Sequence, residues 1–278
     1  MKSALAIHDL SCHASSSLNV VLPVLCAAGI DTSILPSAVL STQSDGFEDL
    51  YSRPLDGECD RIMDKWAGCR LSFDCLYSGY LADHRQVEMV MRARRCFLAQ
   101  DALVVTDPVM GDGGSLYQNL GQDHVDAMRS LIRGSGLTTP NLTEACLLCG
   151  RQVEIVMRLK DAQDLCRQLN AMYGCLVVVT SVCLEGGMVV NVACDNAQVR
   201  TFPFEMVDVS YPGSGDLFAS LVCAYMLHGQ PFFVAVMKAT RITSHAVRRT
   251  YATGRERREG IVVSYAIRDM LKPEEGLS

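Results

Sequence analysis

Short apolar runs recur along this chain at the intervals that alternating strands and helices produce. Residues 4–7, 33–39, 75–77 and 102–106 read as strands. The run at 176–180, Leu-Val-Val-Val-Thr, is the strongest buried-strand signal because it is rich in β-branched residues. Between these runs, residues 18–28, 85–98, 143–149, 161–172, 216–227 and 232–247 read as helices, and 130–136 closes another. The first of them stops at Gly29, a usual helix end. Strands that are apolar on both faces and separated by helices predict a mostly parallel sheet covered on both sides. Residues 188–193 and 199–204, joined by the turn formers Asp195 and Asn196, predict a hairpin. No repeat, low-complexity segment or long Pro/Ser linker divides the chain. The expectation is one α/β domain over residues 1–278, with 260–278 as a C-terminal tail.

Composition narrows the class. The chain has 278 residues, 49% of them apolar and 20% charged, which is ordinary for a globular protein. No apolar run approaches the roughly 20 residues that a membrane span requires. The first ten residues lack the long apolar stretch of a signal peptide and read as a first strand. Net charge is −6, and the arginines Arg248, Arg249, Arg255, Arg257 and Arg258 are the one basic stretch. In an acidic domain they read as a helix end with a solvated tail rather than a nucleic-acid site. Thirteen cysteines, odd in number and mostly within apolar runs, read as reduced core thiols of a cytoplasmic protein. Cys146 and Cys149 have C-x-x-C spacing, but their helical context and the lack of further His or Cys nearby argue against a metal site.

Four segments carry candidate chemistry. Residues 210–220, Ser-Tyr-Pro-Gly-Ser-Gly-Asp-Leu-Phe-Ala-Ser, put two glycines around a small hydroxyl residue just before an apolar helix. Such a turn leaves backbone N–H groups free where the helix dipole favours negative charge, and Asp216 in the first turn could take a proton from an alcohol. A plain N-cap fits the same local pattern. Residues 107–114, Asp-Pro-Val-Met-Gly-Asp-Gly-Gly, follow a strand end, the usual place for a ligand in an open parallel sheet. Two carboxylates and a glycine-rich loop suit Mg²⁺ or, equally, an ordinary turn. Asn141 and Glu144 have capping-box spacing. Thr180-Ser181 either touches phosphates or merely ends a strand.

As an ordered set these segments resemble the ribokinase-like superfamily and, within it, the pyridoxal/pyridoxamine kinases. The resemblance is carried by Ala6-Ile7-His8-Asp9, residues 38–42, Tyr77-Ser78-Gly79-Tyr80-Leu81, residues 107–114 with Tyr117, residues 139–145 and residues 212–220. It spans residues 4 to about 228. The glycine-Asp motif belongs to the whole superfamily; the Ser-Gly-Tyr and Asp-Pro-Val-Met-Gly-Asp segments point to the vitamin B6 branch. The resemblance implies an ATP-dependent kinase acting on the hydroxymethyl of a B6 vitamer. It further implies Asp216 as catalytic base and the backbone of Gly213, Ser214 and Gly215 as an anion hole. Asp107 and Glu144 match metal positions, and Asp112, Asn141 and Thr180 match nucleotide positions. Asp9, Ser44 and Tyr80 match positions lining the pyridine pocket. Mg²⁺, a monovalent cation such as K⁺, and a homodimer are family expectations.

Three departures bear on substrate. Ser214 stands where the family usually has Thr, which keeps the hydroxyl, and Ser44 also replaces a usual Thr. Residues 11–19, Ser-Cys-His-Ala-Ser-Ser-Ser-Leu-Asn, contain none of the glycine and arginine that relatives tend to carry there. Rival readings are a kinase for hydroxymethylpyrimidine or another small alcohol, and a non-catalytic vitamer-binding homologue. A nicotinamide oxidoreductase is disfavoured because no G-x-G-x-x-G follows the first strand.

Overall fold

Ala4, Leu5, Ala6 and Ile7 are all inaccessible to solvent, and a strand buried on both faces needs helices on both sides. The computed structural model describes residues 1–118 and 120–272. Its first half runs β1 (Ser3–Ile7), β2 (Leu10–Ser11), α1 (Leu18–Ala27), β3 (Asp31–Ile34), β4 (Ala38–Leu40), β5 (Ser52–Pro54), α2 (Asp56–Trp66), β6 (Phe73–Ser78), α3 (Gln86–Phe97) and β7 (Leu98–Thr106). There follow β8 (Gly111–Asp112), β9 (Ser115–Leu116), α4 (Gln122–Ile132), β10 (Leu137–Thr138), α5 (Leu142–Cys149), α6 (Leu159–Tyr173) and β11 (Leu176–Cys183). The chain closes with β12 (Val189–Asp195), β13 (Gln198–Phe204), α7 (Ser214–Leu227), α8 (Phe232–Ala252) and α9 (Val263–Met270).

The central sheet has the order β13-β12-β11-β10-β7-β6-β1-β3. It is parallel from β3 to β11, and the β12–β13 hairpin adds an antiparallel edge. Side chains alternate across β1: Leu5 and Ile7 join a core with α2 to α6, whereas Ala4 and Ala6 join a second core with α1, α7, α8 and α9. Because the parallel strands point one way, the residues after β1, β6, β7 and β10 gather along one edge of the sheet.

Several expectations change. The run at 33–39 is two strands in different sheets, β3 beside β1 and β4 in a small sheet with β2 and β5. Pro36, which has no N–H to give a ladder, lies between them. Helix α2 was not anticipated, since only Cys59 and Met63 of its eleven residues are buried. Strand β11 does not end at Thr180 but continues to Cys183 through an irregularity between Val179 and Val182. The stretch read as a tail from residue 260 carries α9, which packs on α1 and α8; residues 273–278 lie outside the described part. The arginines serve this end of the chain. Arg255 donates to the carbonyls of Glu259 and Gly260, Arg257 pairs with Asp45, Arg248 with Glu205, and Arg249 lies over Tyr265.

Candidate functional site

Four buried or nearly buried carboxylates meet at that edge. Asp9 follows β1, Asp107 follows β7, Glu144 lies in the first turn of α5, and Asp216 lies in the first turn of α7. None has a cation beside it in the described structure, so burial dominates each titration. Burial pushes Asp216 up to about 6, with the charge of Asp9 adding and an N–H from Ser17 opposing. Asp9 is raised for the same reason, against hydroxyl donation from Ser17 and Ser11. Asp107 is held well above the usual carboxylate range by burial and by the neighbouring charges of Glu144 and Asp216.

Asp216 sits beside a helix start that no side chain caps. Gly213 has φ +82°, and a Cβ there would come within 2.6 Å of the Ser15 carbonyl oxygen, so this turn requires glycine. Ser214 donates its N–H to the Tyr211 carbonyl at 3.3 Å. Within α7 the N–H groups of Gly215 and Asp216 have no protein partner among the described residues, nor does that of Gly213 just before it, and these donors are free for an anion. The carboxylate of Asp216 accepts from Ser17 N–H at 2.8 Å, and His8 Nδ1 stands 3.8 Å from its other oxygen.

The pocket side is built around Asp9. Its Oδ2 accepts from Ser11 Oγ at 3.2 Å and its Oδ1 from Ser17 Oγ. Tyr80 is half-buried, and burial, with the charge of Asp9 adding, raises its phenol. Ser44 is not brought into this group. It is exposed on the 41–50 loop, while its neighbour Gln43 turns inward to the Arg258 carbonyl at 3.0 Å. Residues 11–19, which lack the glycine that relatives tend to carry, form an ordered loop held by their own contacts. Ala14 takes φ 69° and Ser17 φ 49°, and Asn19 Nδ2 ties the loop by donating to the carbonyls of Ser11 (2.6 Å) and Ala14 (3.1 Å).

The opposite side is built on α5. Asn141 caps it, accepting from Glu144 N–H at 2.9 Å, while Glu144 Oε2 accepts from Asn141 N–H at 2.9 Å. Glu144 Oε1 takes the N–H of Met110 at 3.0 Å and lies 3.5 Å from that of Gly111, so this carboxylate holds the 107–114 loop in place. Burial raises it to about 8 despite those donors. Asn141 Nδ2 donates to the Gly111 carbonyl at 2.7 Å, which commits that side chain to structure as well. Asp112 is exposed at the end of β8, just before the Gly113-Gly114 turn to β9. Thr180 hydrogen-bonds the Pro140 carbonyl through its N–H at 2.8 Å and so stands next to Asn141.

Sequence reasoning missed His8, Ser17, Tyr77 and Thr139. Both ring nitrogens of His8, the Tyr77 hydroxyl and the Thr139 hydroxyl are buried without a hydrogen-bond partner. His8 meets Tyr77 edge to face at 4.4 Å, and burial drops its pKa to about 3, so the imidazole is neutral. His8 and Tyr77 lay inside quoted motifs, adjacent to Asp9 and Ser78, and that adjacency was their one visible signal. Separately, a cavity of about 370 Å³ opens between β13 and α8. Phe202, Phe204 and Met237 line it, with Arg241 and Arg248.

Among the described residues no three His, Cys, Asp or Glu side chains are grouped to hold a metal by themselves. Asp107 nevertheless lies within electrostatic reach of both Glu144 and Asp216 in the first turn of α7, with no cation beside it among the described residues. This fits a Mg²⁺ ion that keeps waters and arrives with substrate phosphates rather than a protein-caged ion.

A mostly parallel sheet with an anion-ready helix start beside a cluster of buried carboxylates defines a phosphotransferase scaffold of the ribokinase-like type. The sequence model of the phosphomethylpyrimidine kinase family matches residues 70–260. The chain belongs to that family and groups with its pyridoxal kinases. It is 30% identical to the pyridoxine/pyridoxal/pyridoxamine kinase of Bordetella avium over 82% of this chain and 79% of that one. The pyridoxal kinase structure from Lactobacillus plantarum superposes with a TM-score of 0.89 at 29% identity, covering 98% and 97% of the two chains. A Bacteroides thetaiotaomicron protein, provisionally named a phosphomethylpyrimidine kinase and crystallised with pyridoxal, superposes at 0.92 with 30% identity over 99% and 97%.

Proposed function

We propose that this chain phosphorylates the hydroxymethyl group of a B6 vitamer with ATP. The observation that carries the reading is the pairing of Asp216 with the two unpartnered N–H groups within the first turn of α7, next to Asp9 across Ser17. Asp216 takes the proton of the acceptor hydroxyl, the freed oxygen pair forms the new O–P bond, and the bond to the leaving ADP oxygen breaks. The N–H groups of Gly215 and Asp216 face the phosphoryl oxygens as their charge redistributes, so catalysis rests on positioning and electrostatics. Asp107 and Glu144 would hold Mg²⁺ through its waters; bound there, the ion neutralises phosphate charge. Ser214 completes the turn, and Asp112, Asn141 and Thr180 support the nucleotide side, the last two mainly by fixing backbone. Ser181 N–H, Asn191 and Thr240 form a hydrogen-bonded line from the residue after Thr180 to the wall of the cavity between β13 and α8, where Phe202, Phe204 and Met237 offer apolar contact for a nucleotide base.

The family is named for a phosphomethylpyrimidine, which keeps the rival substrate hydroxymethylpyrimidine in play, and a substrate panel separates it from the B6 vitamers. Purified protein with ATP, Mg²⁺ and K⁺ is expected to consume ATP with at least one of pyridoxal, pyridoxine or pyridoxamine. Turnover of hydroxymethylpyrimidine alone moves the assignment to that substrate. Vitamer binding without turnover makes the chain a binding homologue. The reading also includes a single domain, a homodimer, testable by light scattering, and a cytoplasmic setting, in keeping with thirteen free thiols.

A further inference from the structure

Ser17 occupies the N-cap of α1, where a serine ordinarily has extended backbone and its hydroxyl accepts from the free N–H groups of the helix. Neither holds here. With φ 49° and ψ −126° it lies in the left-handed half of the map that favours glycine, and its hydroxyl caps nothing. The hydroxyl donates instead to Asp9 Oδ1, and the N–H donates to Asp216 Oδ2 at 2.8 Å. Ser17 N–H makes the one hydrogen bond that the Asp216 carboxylate receives among the described residues. The other groups facing that carboxylate are His8 at 3.8 Å, Tyr77, Asp9 and Asp107. Three of these are neutral or repulsive, and the His8 contact is too long for a hydrogen bond.

A strained backbone persists only where its surroundings over-determine it. Here the surroundings are two buried carboxylates, one from each side of the site, that would otherwise repel each other across an unbridged gap. We propose that Ser17 is a positioning residue: its strained turn couples Asp9 to Asp216 and fixes the orientation in which Asp216 meets the acceptor hydroxyl. This rests on the kinase reading above. It adds that a residue touching no reacting atom sets the rate, and that Asp9 acts on Asp216 as well as on the pocket.

Two variants separate positioning from mere structure. Ser17→Ala keeps the Cβ but loses the link to Asp9; Ser17→Gly also loses the link but relieves the strained φ. Ser17→Gly is expected to melt higher than Ser17→Ala, yet both should lose about tenfold or more in kcat, since small misplacements of reacting groups are costly. The KM for ATP should stay unchanged. Combining Ser17→Ala with Asp9→Ala should cost no more than Asp9→Ala alone, because both cut the same bridge. Undiminished kcat in the more stable Ser17→Gly protein overturns the proposal, as does full additivity with Asp9→Ala. Crystal structures of the variants give a readout that needs no turnover. Asp216 should be displaced or split between rotamers, and a single unchanged Asp216 in both variants also overturns it. Should the wild type phosphorylate no vitamer, the functional reading fails, and the crystallographic comparison still decides the role of Ser17.

Discussion

At the level of single residues the site is governed by what burial does to carboxylates. Asp216 has its pKa raised to about 6, which leaves it largely ionised at neutral pH yet basic enough to accept a proton. The rate should therefore fall as pH drops through about 6, and kcat/KM measured from pH 5 to 8 checks it. Asp216→Asn should lower kcat by at least about 100-fold while ATP still binds by calorimetry, in line with the usual worth of a general base. Near-normal turnover would remove Asp216 from the chemistry. The same substitution should stabilise the fold. A carboxyl whose folded pKa lies above the unfolded 3.8 loses stability as pH rises from 3.8 to about 6, and above that the buried charge costs about 1–3 kcal/mol at most. Asp216→Asn should accordingly melt above the wild type at pH 7.5, with the difference closing below pH 4. Such an inverse relation of activity and stability marks a functional carboxylate rather than a structural one.

At the level of elements, what was legible in the sequence was whatever a single segment announces. The strand–helix alternation, the β12–β13 hairpin, the capping box at Asn141 and the glycine turn before α7 are local patterns, and each is where the residues predict it. What was not legible depends on partners far along the chain. Nothing in residues 33–39 says that the run must divide to serve two sheets, and nothing near Thr180 says that β11 continues through Ser181 at φ 54°. Helix α2 is different: Cys59, Ile62, Met63 and Trp66 form a legible apolar stripe at helical spacing, masked by the six charged residues of the same helix. Ser17 reads as a routine N-cap until α7 brings Asp216 to its N–H. Tight glycines are a similar case: Gly213 is visible as a turn former, but its need for zero side-chain volume comes from Ser15 on another loop. Gly213→Ala would combine a left-handed φ with a Cβ 2.6 Å from a backbone oxygen that cannot swing away. We expect a loss of about 2–4 kcal/mol, seen as a lower Tm, together with loss of turnover as the α7 start shifts. A Tm within a degree of wild type would mean that loop 11–17 yields freely.

At the level of the whole molecule, the sheet gathers buried carboxyls at one edge with no cation beside them among the described residues, and this has a sign that can be measured. Glu144 is raised to about 8, so it takes up charge as pH rises through neutrality, and burial shifts Asp107 in the same direction. The buried histidines push the other way. His8, at about 3 when folded, and His124, also lowered by burial, make the protein less stable at acid pH, and that effect is complete by about the ordinary histidine value of 6.5. Asp74, Asp83 and Asp269 have lowered values and contribute only in still more acid solution. Between pH 6.5 and 8, then, the raised carboxyls dominate, and the Tm of the ligand-free protein should fall as pH rises. Glu144→Gln should flatten that slope, even if loss of one capping-box acceptor lowers the Tm overall. Added Mg²⁺ with ATP should flatten it in the wild type, because a cation beside Asp107 and Glu144 reverses the penalty on their charged forms. A Tm that rises between pH 6.5 and 8 without ligand would mean that these carboxylates are already compensated in the free protein. Mg²⁺ would then have to be held by phosphate alone.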